Sequence, residues 1–224
     1  MIITLSHQVS TNGHLIGQMV AERLKLKYVD EELLNAIAKK LNTDPKVVSQ
    51  FDGELDSRYY ERFLLDWMLK ISPADYLRAL RSSLNEITAN GNCLIIGRGS
   101  NFILQGRNPI LHIRLMAPMN VRTAIFMAEH EEYTKAMAER YILDHDRKRD
   151  KFTEHFFNVR YADDGSLYDL TMNLAHYTPE MATDVIAMAA TTRFKEGAPI
   201  SSESNIQSLI NLLSKHKKPQ RKGF

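Results

Sequence analysis

The sequence predicts an α/β fold with a mainly parallel sheet, and three stretches carry that expectation. Ile2-Ile3-Thr4-Leu5 is a short apolar run, followed by a polar loop and then by apolar residues at helical spacing. Cys93-Leu94-Ile95-Ile96 is a second run, bounded by Asn90-Gly91-Asn92 and by Gly97. Ile110 to Met116 is a third. Helical patterns separate these runs, the alternation from which parallel sheets are built.

After the first strand, Ser6-His7-Gln8-Val9-Ser10-Thr11-Asn12-Gly13 forms a polar loop, and Leu15, Ile16, Met19, Val20 and Leu24 mark a helix along His14 to Leu24. A phosphate-binding loop would lie here, with backbone N–H groups at a helix N-terminus cradling the phosphates. A Walker A loop also needs a lysine and then a hydroxyl. Gly13 stands at the lysine place and His14 at the hydroxyl place, so by pattern alone this is an ordinary strand-to-helix loop. Tyr28-Val29-Asp30 reads as a second strand. Asp30-Glu31-Glu32-Leu33 opens a helix whose early acids suit its positive end, with Leu33, Leu34, Ile37, Ala38 and Leu41 on its core face. Asp44-Pro45 starts another helical turn. Two longer helices follow, one carrying Tyr59, Tyr60, Phe63, Leu64, Trp67, Met68 and Ile71, the other opened by Ser72-Pro73 and carrying Tyr76, Leu77, Leu80, Leu84 and Ile87. Such a stripe reads first as core, and its width also suits a homo-oligomer through helices 56–90.

The next strand ends in Gly97-Arg98-Gly99, which places a cation at the carboxyl end of a central strand, where open α/β sheets bind ligands. Arg98 is therefore placed to hold a phosphate. A plain surface turn with a solvated arginine is the alternative for so short a motif. Ile110 to Met116 contains His112, read as a structural histidine, and the helix after Ala117-Pro118-Met119-Asn120 is expected to turn Val121, Ala124, Ile125 and Ala128 inward. Glu132 to Asn158 is a charged helical stretch. It is either a solvated face laced with acid–base pairs or an arginine-bearing lid that closes on phosphates. Asp169 to Leu174 reads as a fifth strand, Thr178-Pro179-Glu180 caps a helix, and a last helix is expected around Ile206 to Leu213.

With 224 residues, 44% of them hydrophobic, the chain suits one large domain. We expect it to span 1–214, with a helical insertion at about 44–90 and a lid at about 132–160, before a basic flexible tail at 215–224. The formal net charge is only +2, so no overall field points to nucleic acid or membrane, and any anion site must be local. The tail's lysines lack interleaved aromatic residues, so nucleic acid is not expected as a partner. The first five residues are too short for a signal-peptide core, no run of eighteen apolar residues occurs, and the lone Cys93 suits a reducing compartment; a cytoplasmic protein is expected. His130-Glu131-Glu132 lacks the second histidine of a zinc-protease motif, and no metal site is expected.

Taken in order, these pieces resemble the cytidylate kinase-like family of P-loop nucleoside monophosphate kinases, in its divergent bacterial branch, over about residues 1–195. The Ser6 to His14 loop is similar to that branch's first loop, with Ser6 and Gly13 retained and His14 where the branch has arginine. Tyr28 to Leu34 resembles its tyrosine-aspartate strand end, Ile96 to Leu104 its Gly-Arg-Gly segment, Asp146-Arg147-Lys148-Arg149 its lid, and Leu167 to Asn173 with Thr178-Pro179-Glu180 its last strand and helix. The resemblance implies a parallel five-stranded sheet of order 2-3-1-4-5 with a helical lid. It implies ATP and Mg2+ as cofactors and a small-molecule nucleotide as partner. Arg98, Asp30, Asp146 and Arg149 would hold the acceptor, Arg147 would be a lid cation, and Ser6, Ser10, Thr11, Asn12, Gly13 and His14 would face ATP. Arg98, Arg147 and Arg149 would act in transfer. Gly99 stands where the cytidylate kinases proper have an aspartate, so the acceptor's base stays open. The alternative is a nucleotide-binding protein with a degenerate loop and no catalysis.

Overall fold

Five parallel strands form one sheet whose order, counted along the chain, is 2-3-1-4-5, as the resemblance implied. The computed structural model describes residues 1–49, 71–107, 109–159, 164–195 and 206–212. Strand β1 is Ile2–His7, two residues longer than its apolar run, and helix α1 is Gly13–Leu24. The short β2, Lys27–Val29, leads into α2, Glu31–Lys40, and α3, Pro45–Ser49. Helix α4, Pro73–Thr88, starts where Ser72 accepts a bond from the Asp75 N–H, with proline in the first turn. Then come β3, Cys93–Ile96, α5, Ser100–Leu104, and β4, Leu111–Met116. Helices α6, Met119–Glu129, and α7, Lys135–Phe157, precede β5, Leu170–Asn173, and α8, Pro179–Arg193. The expected aromatic stripe at 59–68 lies outside the described residues, as does the first part, 56–70, of the oligomer face expected over 56–90.

The period-two alternation of the strands sorts the core into two layers. Cys93 and Ile95 join Leu33 and Ile37 of α2 with Tyr76, Leu80 and Leu84 of α4 on one face. Leu94 and Ile96, with Ile3, Leu5, Ile113 and Leu115, meet Ile16 and Val20 of α1 and Ile186 of α8 on the other. Each such side chain removed from water contributes about 1.5–3 kcal/mol. Thr4 and His112 face the first layer together, joined by a 2.7 Å Oγ1–Nδ1 hydrogen bond, which makes His112 the structural histidine expected. Cys93 is buried, which pushes its thiol pKa up and leaves it unreactive.

Helix α6 departs from the expected face. Ala124 is exposed, as is Ala128, while Arg122, Thr123 and Phe126 are buried. Two alanines bury too little area to orient a helix, whereas Phe126 packs with Ile142 of α7, Arg122 pairs with α7, and Thr123 returns its hydroxyl to the Met119 carbonyl. Helix α7 is apolar at both ends. Ala138 and Ile142 pack on α6, and Phe152 and Phe156 on α4, so its charged middle crosses the carboxyl end of the sheet. Among the described residues no helix is long and apolar enough to cross a membrane.

Candidate functional site

The carboxyl ends of β1 and β3, hydrogen-bonded neighbours, bring the two sequence-predicted anion elements side by side. The loop after β1 is tied down by its own polar groups. Gln8 N–H donates to the Leu115 carbonyl at 3.0 Å, Gln8 Oε1 accepts from Ala117 N–H at 3.0 Å, and Thr11 Oγ1 donates to the Gln8 carbonyl at 2.8 Å. Ser10 and Asn12 take left-handed backbone angles, φ 56° and 54°. Alternating backbone hands of this kind turn successive N–H groups toward one concavity. Asn12 makes no side-chain cap bond, and from Ser10 to Leu15 no backbone N–H finds an acceptor among the described residues. Six donors at the positive end of a three-turn helix make an anion cradle.

His7 shapes this cradle. Its buried ring lies over Gly13, where an added Cβ would stand 2.6 Å from His7 Cβ and closer still to the ring. Burial, together with the nearby Arg149 and His14, holds its pKa well below the ordinary histidine value, so the ring is neutral and its Nδ1–H donates to the Gln8 carbonyl at 3.0 Å. The position of a Walker lysine thus has no room for a side chain. His14 does not face the loop's interior either. Its Nδ1 lies 3.0 Å from the Tyr28 hydroxyl and 3.3 Å from Asp30 Oδ2, and its side chain is 54% exposed.

Asp30 links this corner to the Gly-Arg-Gly turn, because Arg98 Nη2 donates to its Oδ1 at 3.2 Å. Arg98 sits in the left-handed region, φ 57°, with only 11% of its side chain exposed. The solvated-turn alternative is thereby excluded. Burial opposes the charge on Asp30, yet the His14 bond and Arg98 outweigh it and hold the carboxyl below its usual range. Burial and Asp30 together push the Tyr28 phenol up to about 12. Gly99, φ +68°, accounts for the missing aspartate: any Cβ there would overlap the ring of Phe157, which stacks on Phe102 with centroids 4.8 Å apart.

Of the lid residues, Arg149 reaches the site, its Nη1 donating to the His7 carbonyl at 2.6 Å. Asp146 is nearby but engaged by Arg122 Nη1 at 2.6 Å, and Arg147 points away, 70% exposed and paired with Asp144 at 3.1 Å. Ser6 sits beneath the loop, its hydroxyl 3.3 Å from Asn101 Oδ1. Arg122, Lys148 and His145 are buried beside the site, and sequence reasoning passed over all three. The available signal was the i,i+4 spacing of Arg122 and Phe126 on one face of α6, hidden because an arginine breaks an apolar count.

The profile of the cytidylate kinase-like family matches residues 2–176. The chain belongs to the cytidylate kinase-like family. An uncharacterized protein from Eubacterium ventriosum is similar in structure, with TM-score 0.63 and 16% identity over 84% of this chain and 97% of the other. A Thermus thermophilus protein aligns with TM-score 0.52 and 16% identity over 87% of this chain and 98% of the other. A shikimate kinase from Bacteroides thetaiotaomicron aligns with TM-score 0.49 and 12% identity over 85% and 98%. No curated relative matches the sequence. For this family member, the cradle fits the phosphates of a nucleotide. Magnesium fits less well, because His14 fills the hydroxyl place and is tied to Asp30.

Proposed function

We propose that this member of the cytidylate kinase-like family is an ATP-dependent kinase acting on a nucleoside monophosphate or a related phosphorylated acceptor. The supporting observation is the N–H-lined loop beside a buried arginine at the neighbouring strand end. Transfer requires two phosphate groups held together and shielded from water, and most of its catalysis is positioning and charge stabilisation. ATP supplies the phosphoryl group. In this reading the N–H groups of Ser10 to Leu15 hold the donor's phosphates, Arg98 takes the acceptor's phosphate in exchange for Asp30, and Arg149 closes the lid over His7. The exposed Arg147 joins only if α7 turns.

A second reading, a nucleotide-binding protein without transfer, draws on the His7 ring that closes the lysine position. A thermal-shift series separates ligand binding from its absence, since a ligand that binds only the folded chain raises its melting temperature. ATP and a nucleoside monophosphate should each stabilise the protein, and Arg98→Ala should abolish the effect of the monophosphate alone. No shift with any nucleotide would overturn both readings.

A further inference from the structure

Position 13 admits no side chain and His14 is held by Tyr28 and Asp30, so neither Walker position supplies a cation to the cradle. Phosphates gathered on backbone N–H groups alone leave most of their charge uncompensated. Arg122 is a buried guanidinium close to the loop. It lies in the first turn of α6, and that turn is bound to the loop: Gln8 takes the Leu115 carbonyl and the Ala117 N–H just upstream, and Val9 and Met119 both pack against the cluster of Phe126, Ala138 and Ile142. Arg122 is only 6% exposed, and its Nε is buried with no hydrogen-bond partner among the described residues. A buried, unmatched donor on a charged group is costly and persists where another state of the molecule satisfies it.

We propose that Arg122 is a phosphate-binding residue of this site, held ready in the ligand-free protein by Asp146. This rests on the kinase-type reading above and adds a residue to it. Asp146 is its carboxylate partner, and at 24% exposed it is the solvent-facing half of the pair. An incoming phosphate therefore reaches the guanidinium by displacing Asp146, offering three oxygens where the carboxylate offers two, enough to take Nε as well as Nη1. Asp146 stands one helical turn before Arg149, whose guanidinium is already on the loop at His7, so the exchange happens beside the cradle. Asp146 is then released from Arg122 in the presence of donor, which makes acceptor binding follow donor binding if Asp146 serves the acceptor.

The test is calorimetric titration of the full chain with inorganic tripolyphosphate, comparing wild type, Arg122→Lys and Asp146→Asn, each checked for a cooperative melt. Arg122→Lys keeps a charge and loses the planar guanidinium and Nε; it should weaken tripolyphosphate about tenfold or more. Asp146→Asn removes the competitor and should bind tripolyphosphate more tightly than wild type. If Arg122 is purely a fold-holding ion pair, both variants melt lower but bind as wild type does, and the proposal is overturned while the kinase reading stands. Should Arg122→Lys not fold, unchanged or weaker binding by Asp146→Asn overturns it alone. Wild type that binds no tripolyphosphate overturns the kinase reading together with this one.

Discussion

Replacing Gly13 by alanine tests whether the His7 ring closes the lysine position. The new Cβ would stand 2.6 Å from His7 Cβ, against about 3.5–4.0 Å for an ordinary carbon contact. The partner atom belongs to the stem of the histidine, so a rotamer change alone cannot clear it. Overpacking of this kind costs about 1–3 kcal/mol. Alanine's better helix propensity offsets at most about 1 kcal/mol, and less at the first residue of α1. A net loss of about 1–2 kcal/mol lowers the melting temperature by about 2–8 °C for a chain of this size. Thermal unfolding followed by circular dichroism reads it directly. The diagnostic is the double variant. In a His7→Gly background both ring and stem are gone, so Gly13→Ala should cost nothing or stabilise, giving a coupling energy at least equal to the single-variant loss. An unchanged melt for Gly13→Ala, or the same loss in both backgrounds, would refute the overlap.

The same geometry fixes further outcomes. Arg98→Ala should cost a nucleoside monophosphate about 1.5–3 kcal/mol of affinity and the parent nucleoside almost none, as measured by calorimetry, because only the phosphate uses a charge-assisted bond. Gly99→Ala combines a positive φ with the Phe157 overlap and should destabilise by about 1–3 kcal/mol, part of it recovered in a Phe157→Ala background that relieves contact but not backbone strain. His7, His112 and His145 are all held below the ordinary histidine pKa, chiefly by burial. Below pH ~6.5 the unfolded chain therefore binds protons that the folded chain refuses, so stability is full above that pH and falls beneath it by up to about 1.4 kcal/mol per pH unit for each histidine. Urea denaturation at pH 7 and pH 5.5 measures this, and His145→Gln should flatten the fall. Asp30, depressed instead, acts in a separate window: its contribution is present above the ordinary aspartate pKa of about 4 and is lost as pH drops through its folded value.

Much of the fold was legible because strands and helices here differ cleanly in apolar period. Cys93–Ile96 ends where Gly97 says it should, and Thr178-Pro179 and Ser72-Pro73 cap the helices they announce. The Gly-Arg-Gly turn was legible as a cation at the carboxyl end of a strand because its glycines and its strand are contiguous. Pairings across the sheet were not. His14 meets Asp30 only because β1 and β2 flank β3, and Arg122 meets Asp146 only because α6 and α7 fold back on each other. The fit of the His7 ring over Gly13 is likewise a matter of side-chain direction, which residue types do not reveal. Charge content on α7 was visible, but only burial separates its outward Arg147 from its inward His145 and Lys148.

The most direct measurement is phosphoryl transfer itself. Phosphorus NMR of the protein with ATP, magnesium and each nucleoside monophosphate in turn would show γ-phosphate disappearing as a diphosphate product and ADP form together. The kinase reading predicts transfer to at least one acceptor, lost in Arg98→Ala while ATP binding persists. ATP bound by the wild type but left intact with every acceptor would contradict it and favour the nucleotide-binding protein.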